Sequence, residues 1–215
     1  ITVVDVETSW QVTDTGGYDP SPYHPDNILV SVGINDEYYF TNHSERIDDG
    51  CYHNIQSILD KTTLLVGHNI KFDLMWLIEA GFKYTGKVYD TMLGEYILNR
   101  GIRKSLTLEM SCRRRRIGSK DNRIKEFTDR GIPFQNIPAN VVEEYGRMDV
   151  QITRDLFNSQ MADFRMPKNK HLLMTAKMMN EFLIVLSDME ANGININLED
   201  LSKVEKEYRA EFAYL

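Results

Sequence analysis

The chain of 215 residues is 42% apolar, enough for one good-sized buried core with an appendage, and it shows no apolar run long enough to cross a bilayer and no secretory leader. Its two cysteines, Cys51 and Cys112, give no disulfide framework and no thiolate metal spacing, so a reducing, intracellular setting is expected. The net charge of −7 is uneven: Arg100 to Arg130 holds 11 Lys/Arg against 4 Asp/Glu, a local +7, and the remainder holds 14 against 28, or −14.

Val3 to Thr8 (Val-Val-Asp-Val-Glu-Thr) predicts a central strand covered on both faces. Asp5 and Glu7 share one face of it, because side chains alternate along a strand, and two crowded negative charges want either solvent at a strand end or a cation. Ser9 to Asn27, rich in Gly, Pro, Asp and Thr, reads as a loop whose Trp10, Tyr18 and Tyr23 serve either for stacking on bases or for packing on their own domain. Ile28 to Ile34 and Tyr38 to Thr41 form a hairpin pattern through Asn35, Asp36 and Glu37; a helix through Ile55 to Leu59 and a buried strand at Leu64 to Val66 follow.

From Gly67 to Gly81 the pattern is a helix apolar nearly all round, with Asn69 as its expected N-cap and Gly81 at its C-terminus. Asp73 inside it is then a buried carboxylate that must be paired, protonated or metal-bound, and Lys71, two positions away, faces elsewhere. His68 reads as structural. Val88 and Tyr89 end another strand, with Asp90 capping a helix from Thr91 to Leu98. Leu106, Leu108 and Met110 lead into Arg113 to Arg116, read either as solvated surface or as the densest part of a phosphate-contact surface. Gly131 to Pro133 and Ile137-Pro138 mark loop.

Asn140 to Asp163 carries an apolar stripe at Val141, Tyr145, Met148, Ile152 and Leu156. Asp149 falls within the stripe, and its helical neighbours Tyr145, Gly146, Ile152 and Thr153 include no base, so it needs a cation or an arginine from elsewhere. Beyond Pro167, a helix from Leu172 to Ala191, the stretch Ile194 to Asn197 and a last helix from Leu198 make an all-helical tail. Ile1 begins almost inside a strand and Arg209 to Leu215 breaks off within a helical pattern, which gives the expectation of a piece of a longer polypeptide.

Asp5, Glu7, Asp73 and Asp149, brought together, would suit two divalent cations, Mg2+ or Mn2+, which in such sites lie ~3.5–4 Å apart and stabilise both oxygens of an in-line displacement. The order of these residues resembles a known family. Asp5-Val-Glu-Thr8, Gly67-His-Asn-Ile-Lys-Phe-Asp73 and Tyr145-Gly-Arg-Met-Asp149 look like the three motifs of the DEDD superfamily of 3′–5′ exonucleases. The Tyr-x3-Asp spacing is that of the tyrosine branch; the histidine branch would have its His where Glu144 stands. Tyr89 to Asn99 and Glu181 to Leu201, with Met189-Glu-Ala-Asn-Gly-Ile194 at its centre, resemble the matching segments of family A DNA polymerases similar to DNA polymerase I.

That resemblance implies an α/β, ribonuclease H-like fold, a mixed five-stranded sheet flanked by helices, over residues 1–165, followed by a helical start of a polymerase domain over 166–215. It implies that Asp5, Glu7 and Asp149 ligate the first metal, that Asp5 bridges to the second with Asp73 acting through water, and that Tyr145 orients the attacking water. Thr8 and Asn69 would contact the terminal nucleotide. The implied substrate is single-stranded DNA or a frayed primer 3′ end, the implied partner the polymerase domain of the same parent chain, and the implied setting the cytoplasm of a bacterial or phage-infected cell. The chain stops before any polymerase motif. An exoribonuclease similar to ribonuclease D, and a catalytically silent nucleic-acid-binding module, are the alternatives.

Overall fold

In the computed structural model, which describes residues 1–118 and 123–212, the apolar N-terminal stretch forms β1 (Thr2–Thr8) at the middle of the main sheet. The Ser9 to Asn27 loop contains β2 (Gln11–Val12) and β3 (Tyr18–Asp19), which pair only with each other. The predicted hairpin is β4 (Leu29–Ile34) and β5 (Glu37–Phe40). Then come α1 (Cys51–Asp60), β6 (Leu64–Gly67), α2 (Ile70–Glu79), β7 (Lys87–Asp90) and α3 (Thr91–Leu98). The strands line up as β5-β4-β1-β6-β7, antiparallel on the β4 side of β1 and parallel on the β6 side, which is the mixed five-stranded sheet expected. The remaining helices are α4 (Leu108–Arg115), α5 (Arg123–Thr128), α6 (Ala139–Arg165), α7 (Leu172–Asn192) and α8 (Leu198–Phe212). Residues 119–122 of the basic segment and 213–215 of the last helical pattern lie outside the described residues.

Strand alternation divides the core. Val4, Val6, Val32 and Ile34 face Ile55 and Leu59 of α1 and Leu74 and Leu77 of α2, whereas Val3 packs with Val66, Tyr89 and the α6 residues Val150 and Phe157. The odd positions of β1, Asp5 and Glu7 among them, therefore look toward α6. That helix comes down hard on the sheet. Gly33 stands opposite Asp5, and a Cβ there would sit 2.8 Å from Val150 Cγ2; Gly146 of α6 meets Tyr38 of β5 in the same way, at 2.5 Å from Cε2. Glycine on the sheet and glycine on the helix each allow an approach that any side chain would block.

The buried stripe of α6 differs from the expectation at two positions. Val142, not Val141, is fully buried, and Met148 is 36% exposed. Because α6 packs against the sheet on one side and α3 and α4 on the other, a second row (Gly146, Val150, Thr153, Phe157) is covered as well, and Met148 is left on the solvent margin.

The arginine run divides, its outer two members at the surface as expected and its inner two not. Glu95 of α3 is 3% exposed and accepts from Arg114 Nη2 at 3.1 Å, from Gln160 Nε2 at 3.2 Å and from Arg115 Nε. Arg115 reaches on to Asp163 at 2.7 Å. Two of the four arginines thus close a buried network joining α3, α4 and α6, while Arg113 and Arg116 are exposed. A guanidinium fork with carboxylates on both sides is the geometry that makes such a pair tolerable in the interior.

The helical extension begins as part of the same packed body. α7 lies against β7, α2 and α3; Leu183 enters the core, Asn180 Oδ1 accepts from the Asp90 N–H at 2.6 Å, and Glu190 pairs with Lys71. α8, by contrast, buries none of its side chains. Arg115→Ala leaves Glu95 with Arg114 and Gln160 but removes its second guanidinium and the Asp163 pair, and is expected to lower stability by about 1.5–3 kcal/mol. Arg113→Ala and Arg116→Ala should stay within about 0.5 kcal/mol of the parent. Urea denaturation of the three variants separates the outcomes.

Candidate active site

The neighbours of β1 differ in length, and the site lies where they part. β4 pairs with β1 as far as Thr8, but β6 is paired only at Thr2 and Val3 and ends at Gly67. The β6-side edge of β1 is open beyond that point, and α2 enters the gap. There the backbone N–H of Val6 donates to Asp73 Oδ1 at 3.0 Å, so a side chain takes the place of the missing strand. Burial first, then the charge of Asp5, holds the Asp73 carboxyl well above the usual carboxylate range, with the Val6 N–H pulling the other way.

On the α6-facing side, Asp5 and Glu7 meet Asp149. One carboxylate oxygen from each lies within 4.8 Å of the others; Glu7 and Asp149 are buried and Asp5 half-buried. Tyr145 stands one helical turn before Asp149, and its hydroxyl is hydrogen-bonded to that carboxylate. Burial, followed by the charges of Glu7, Asp149 and Asp5, pushes the phenol far above its ordinary value, so it stays neutral. Of the carboxylates singled out in the sequence, three therefore form one donor set and Asp73 adjoins it.

Thr8 is buried at a β-bulge: Ser31 stands opposite Glu7 and Leu29 opposite Thr8, leaving Val30 as the extra residue. Asn69 does not cap α2 with its side chain. It takes a left-handed conformation (φ 65°) that turns the chain from β6 into the helix, and its backbone N–H donates to Asp90 Oδ1 at 2.9 Å, leaving the carboxamide exposed. Asp90 does cap α3, accepting from Met92 N at 2.8 Å. His68 holds structure, with Nδ1 2.9 Å from Thr91 Oγ1 and Nε2 2.9 Å from the Leu106 carbonyl. Sequence reasoning passed over Ser31 and Tyr38, which lie behind Glu7. The glycine in Tyr145-Gly146 was the available signal, since it is the ring of Tyr38 that Gly146 admits.

Three carboxylates without histidine or cysteine make a hard, all-oxygen donor set, which fits Mg2+ or Mn2+ and not a thiolate- or imidazole-preferring metal. The profile of the 3′–5′ exonuclease family matches residues 13–162, more than two thirds of the chain. This chain belongs to the 3′–5′ exonuclease family. The match takes in Asp73, Tyr145 and Asp149 of this exonuclease; Asp5 and Glu7 precede it and rest on the geometry above. DNA polymerase I of Borreliella burgdorferi is 26% identical over 145 residues, covering 67% of the exonuclease chain but only 15% of the polymerase. The exonuclease thus spans a small part of that relative's length.

Among solved structures, the POL domain of Pol1 from M. smegmatis in complex with DNA primer-template and dNTP superimposes with a TM-score of 0.66 at 16% identity, over 97% of this chain and 31% of the other. Brucella melitensis NrnC bound to pGG gives 0.64 at 17% identity, over 89% and 85%. These likenesses establish the fold. No helix among the described residues is long and apolar enough to cross a membrane.

If the donor set holds a divalent cation, Mn2+ should raise the melting temperature of the exonuclease, by the equivalent of about 2.7 kcal/mol at a hundredfold excess over Kd. An Asp5→Asn, Glu7→Gln variant should show no such rise. Thermal melts with and without Mn2+ make the check.

Proposed function

We propose that this chain is the proofreading nuclease of a family A DNA polymerase: it hydrolyses the terminal phosphodiester of single-stranded DNA or a frayed primer 3′ end and releases nucleoside 5′-monophosphates with two divalent cations. The observation that carries the reading is the convergence of Asp5, Glu7 and Asp149 beside a neutral Tyr145. Bound divalent cations would supply Lewis acidity at the scissile phosphate and lower the pKa of the attacking water. In this reading Asp5, Glu7 and Asp149, with Asp73 beside them, would hold the cations. Tyr145, kept protonated by its surroundings, is suited to orienting the nucleophile by hydrogen bonding rather than to taking its proton. Thr8 and the exposed Asn69 side chain are assigned to the terminal nucleotide.

Residues 1–165 are read as the catalytic unit and 166–215 as the beginning of the polymerase part, with α7 seated on the first. Support for that partner comes from the kinship with DNA polymerase I and from the apolar side chains that α7 and α8 expose, Met178, Phe182, Leu201 and Val204 among them. A bacterial cytoplasm follows from the same kinship. For strand binding, the cations left over from the ion-pair network are the ones to expect: Arg103, Lys104, Arg113 and Arg116 are exposed.

The deciding experiment digests 5′-labelled single-stranded DNA and matched RNA with Mg2+, comparing wild type with Asp5→Ala, Glu7→Ala. A DNA-preferring ladder shortening from the 3′ end, absent in the variant, is expected. A preference for RNA would transfer the assignment to a ribonuclease D-like enzyme, and binding of either strand without cleavage would make the chain a binding module. Replacing Arg113 and Arg116 by Ala should reduce the slope of log affinity against log salt by about 1.4 on single strands. An unchanged slope returns them to solvated surface.

A further inference from the structure

The elements behind the carboxylates converge on one side chain that the reaction does not use. Ser31 stands directly opposite Glu7 in the β1–β4 pairing, so the two side chains share the face that looks at α6. The Ser31 hydroxyl lies 2.8 Å from the Tyr38 hydroxyl, which donates to the Val142 carbonyl of α6 at 3.3 Å. With the phenolic proton given to Val142, Ser31 is left as the donor to the phenol oxygen. All three residues are buried. The ring is equally fixed: it meets Phe40 edge-on at 5.4 Å between centroids, lies 5.7 Å from the Arg147 guanidinium, and occupies the space that a Cβ on Gly146 would need, which would stand 2.6 Å from the phenol oxygen itself. Gly146 follows Tyr145 directly, and Val142 lies one turn before it.

We infer that Tyr38 is a positioning residue, a brace of fixed length between β4, whose Ser31 stands opposite Glu7, and the turn of α6 that carries Tyr145 and leads to Asp149. The inference rests on the nuclease reading given above. Its physical content is a clamp from two sides. The Tyr38 hydroxyl stops α6 from lifting away from the sheet, through Ser31 and Val142. The ring stops the helix from sinking further, through Gly146. Burial and then the charge of Glu7 raise the hydroxyl well above its ordinary value, so the donor proton is retained. The donor set is split between β1 and α6, so its dimensions depend on how these two elements are spaced. Side chains that orient metal-binding groups without touching the metal commonly change affinity or activity by about 10- to 100-fold when removed.

Tyr38→Phe keeps the ring and deletes the hydroxyl, and Ile34→Val, on the opposite face of the sheet, provides a comparable loss of stability remote from the site. For wild type and both variants, kcat and KM on 5′-labelled single-stranded DNA with Mg2+, Mn2+ affinity by calorimetry, and melting temperature are measured. Tyr38→Phe should lower kcat and Mn2+ affinity by about 10-fold or more, with KM near wild type. Ile34→Val should melt earlier with kcat and Mn2+ affinity intact. Gly146→Ala, which drives a methyl group into the phenol from the helix side, should reproduce the Tyr38→Phe pattern. If Tyr38→Phe retains wild-type kcat and Mn2+ affinity, or loses them no more than Ile34→Val does, the brace is refuted. Should wild type cleave neither DNA nor RNA, the nuclease assignment fails by itself, and the Mn2+ affinities of the same proteins still decide the role of Tyr38.

Discussion

Like charges held within a few ångströms of one another repel, and the fold must supply that confinement before any cation arrives. Asp5, Glu7 and Asp149 are kept together by two elements that are rigid for separate reasons. The strand is central, bonded on both sides at its start and backed by α1 and α2. The helix is long and covered from two directions, and it reaches the strand only because Gly33 and Gly146 remove the side chains that would keep it away. Asp73 follows from the same plan, since the gap into which α2 inserts it exists because β6 is shorter than β1. The unfavourable burial of three carboxylates and half-burial of a fourth is thus localised at one end of the sheet, where a divalent cation can offset it.

Much of this was legible in the sequence because it depended on periodicity. Alternation placed Asp5 and Glu7 on one face, and helical spacing placed Asp149 on the buried side of α6 next to Tyr145; neither inference needs a long-range contact. What was hidden depended on partners distant in the chain. Arg114 and Arg115 looked like surface because the carboxylates that bury them, Glu95 and Asp163, lie 19 to 48 positions away. Asn69 has the composition of a helix cap, but a tight strand-to-helix turn needed a left-handed residue there, and its N–H went to Asp90. Met148 and Val142 changed places relative to expectation because a single-stripe pattern cannot foresee a helix packed on two sides. Tyr38 gave no signal of its own, as an aromatic residue in a hairpin strand is ordinary core material.

The basic segment shows how local charge misleads in a similar way. A run of four arginines in an acidic protein invites a nucleic-acid reading as a unit, yet Arg114 and Arg115 turn toward Glu95 and Asp163 while Arg113 and Arg116 stay exposed. Binding capacity belongs to individual side chains and their exposure. The sum over a window says where to look, and burial decides what is left to bind.

Asp90 gives the helical extension a mechanical meaning. Its carboxylate accepts the N–H of Asn69 and that of Met92, and its own N–H is held by Asn180 of α7. One residue at the end of β7 therefore ties the first turn of α2, the first turn of α3 and the middle of α7. Displacing α7 along its axis by more than a bond length would strain the connection that sets the start of α2, and Asp73 lies only four residues beyond Asn69. The Asn180–Asp90–Asn69 series of hydrogen bonds thus gives α7 a polar connection to the start of α2, beside the apolar contact that Leu183 makes with the core.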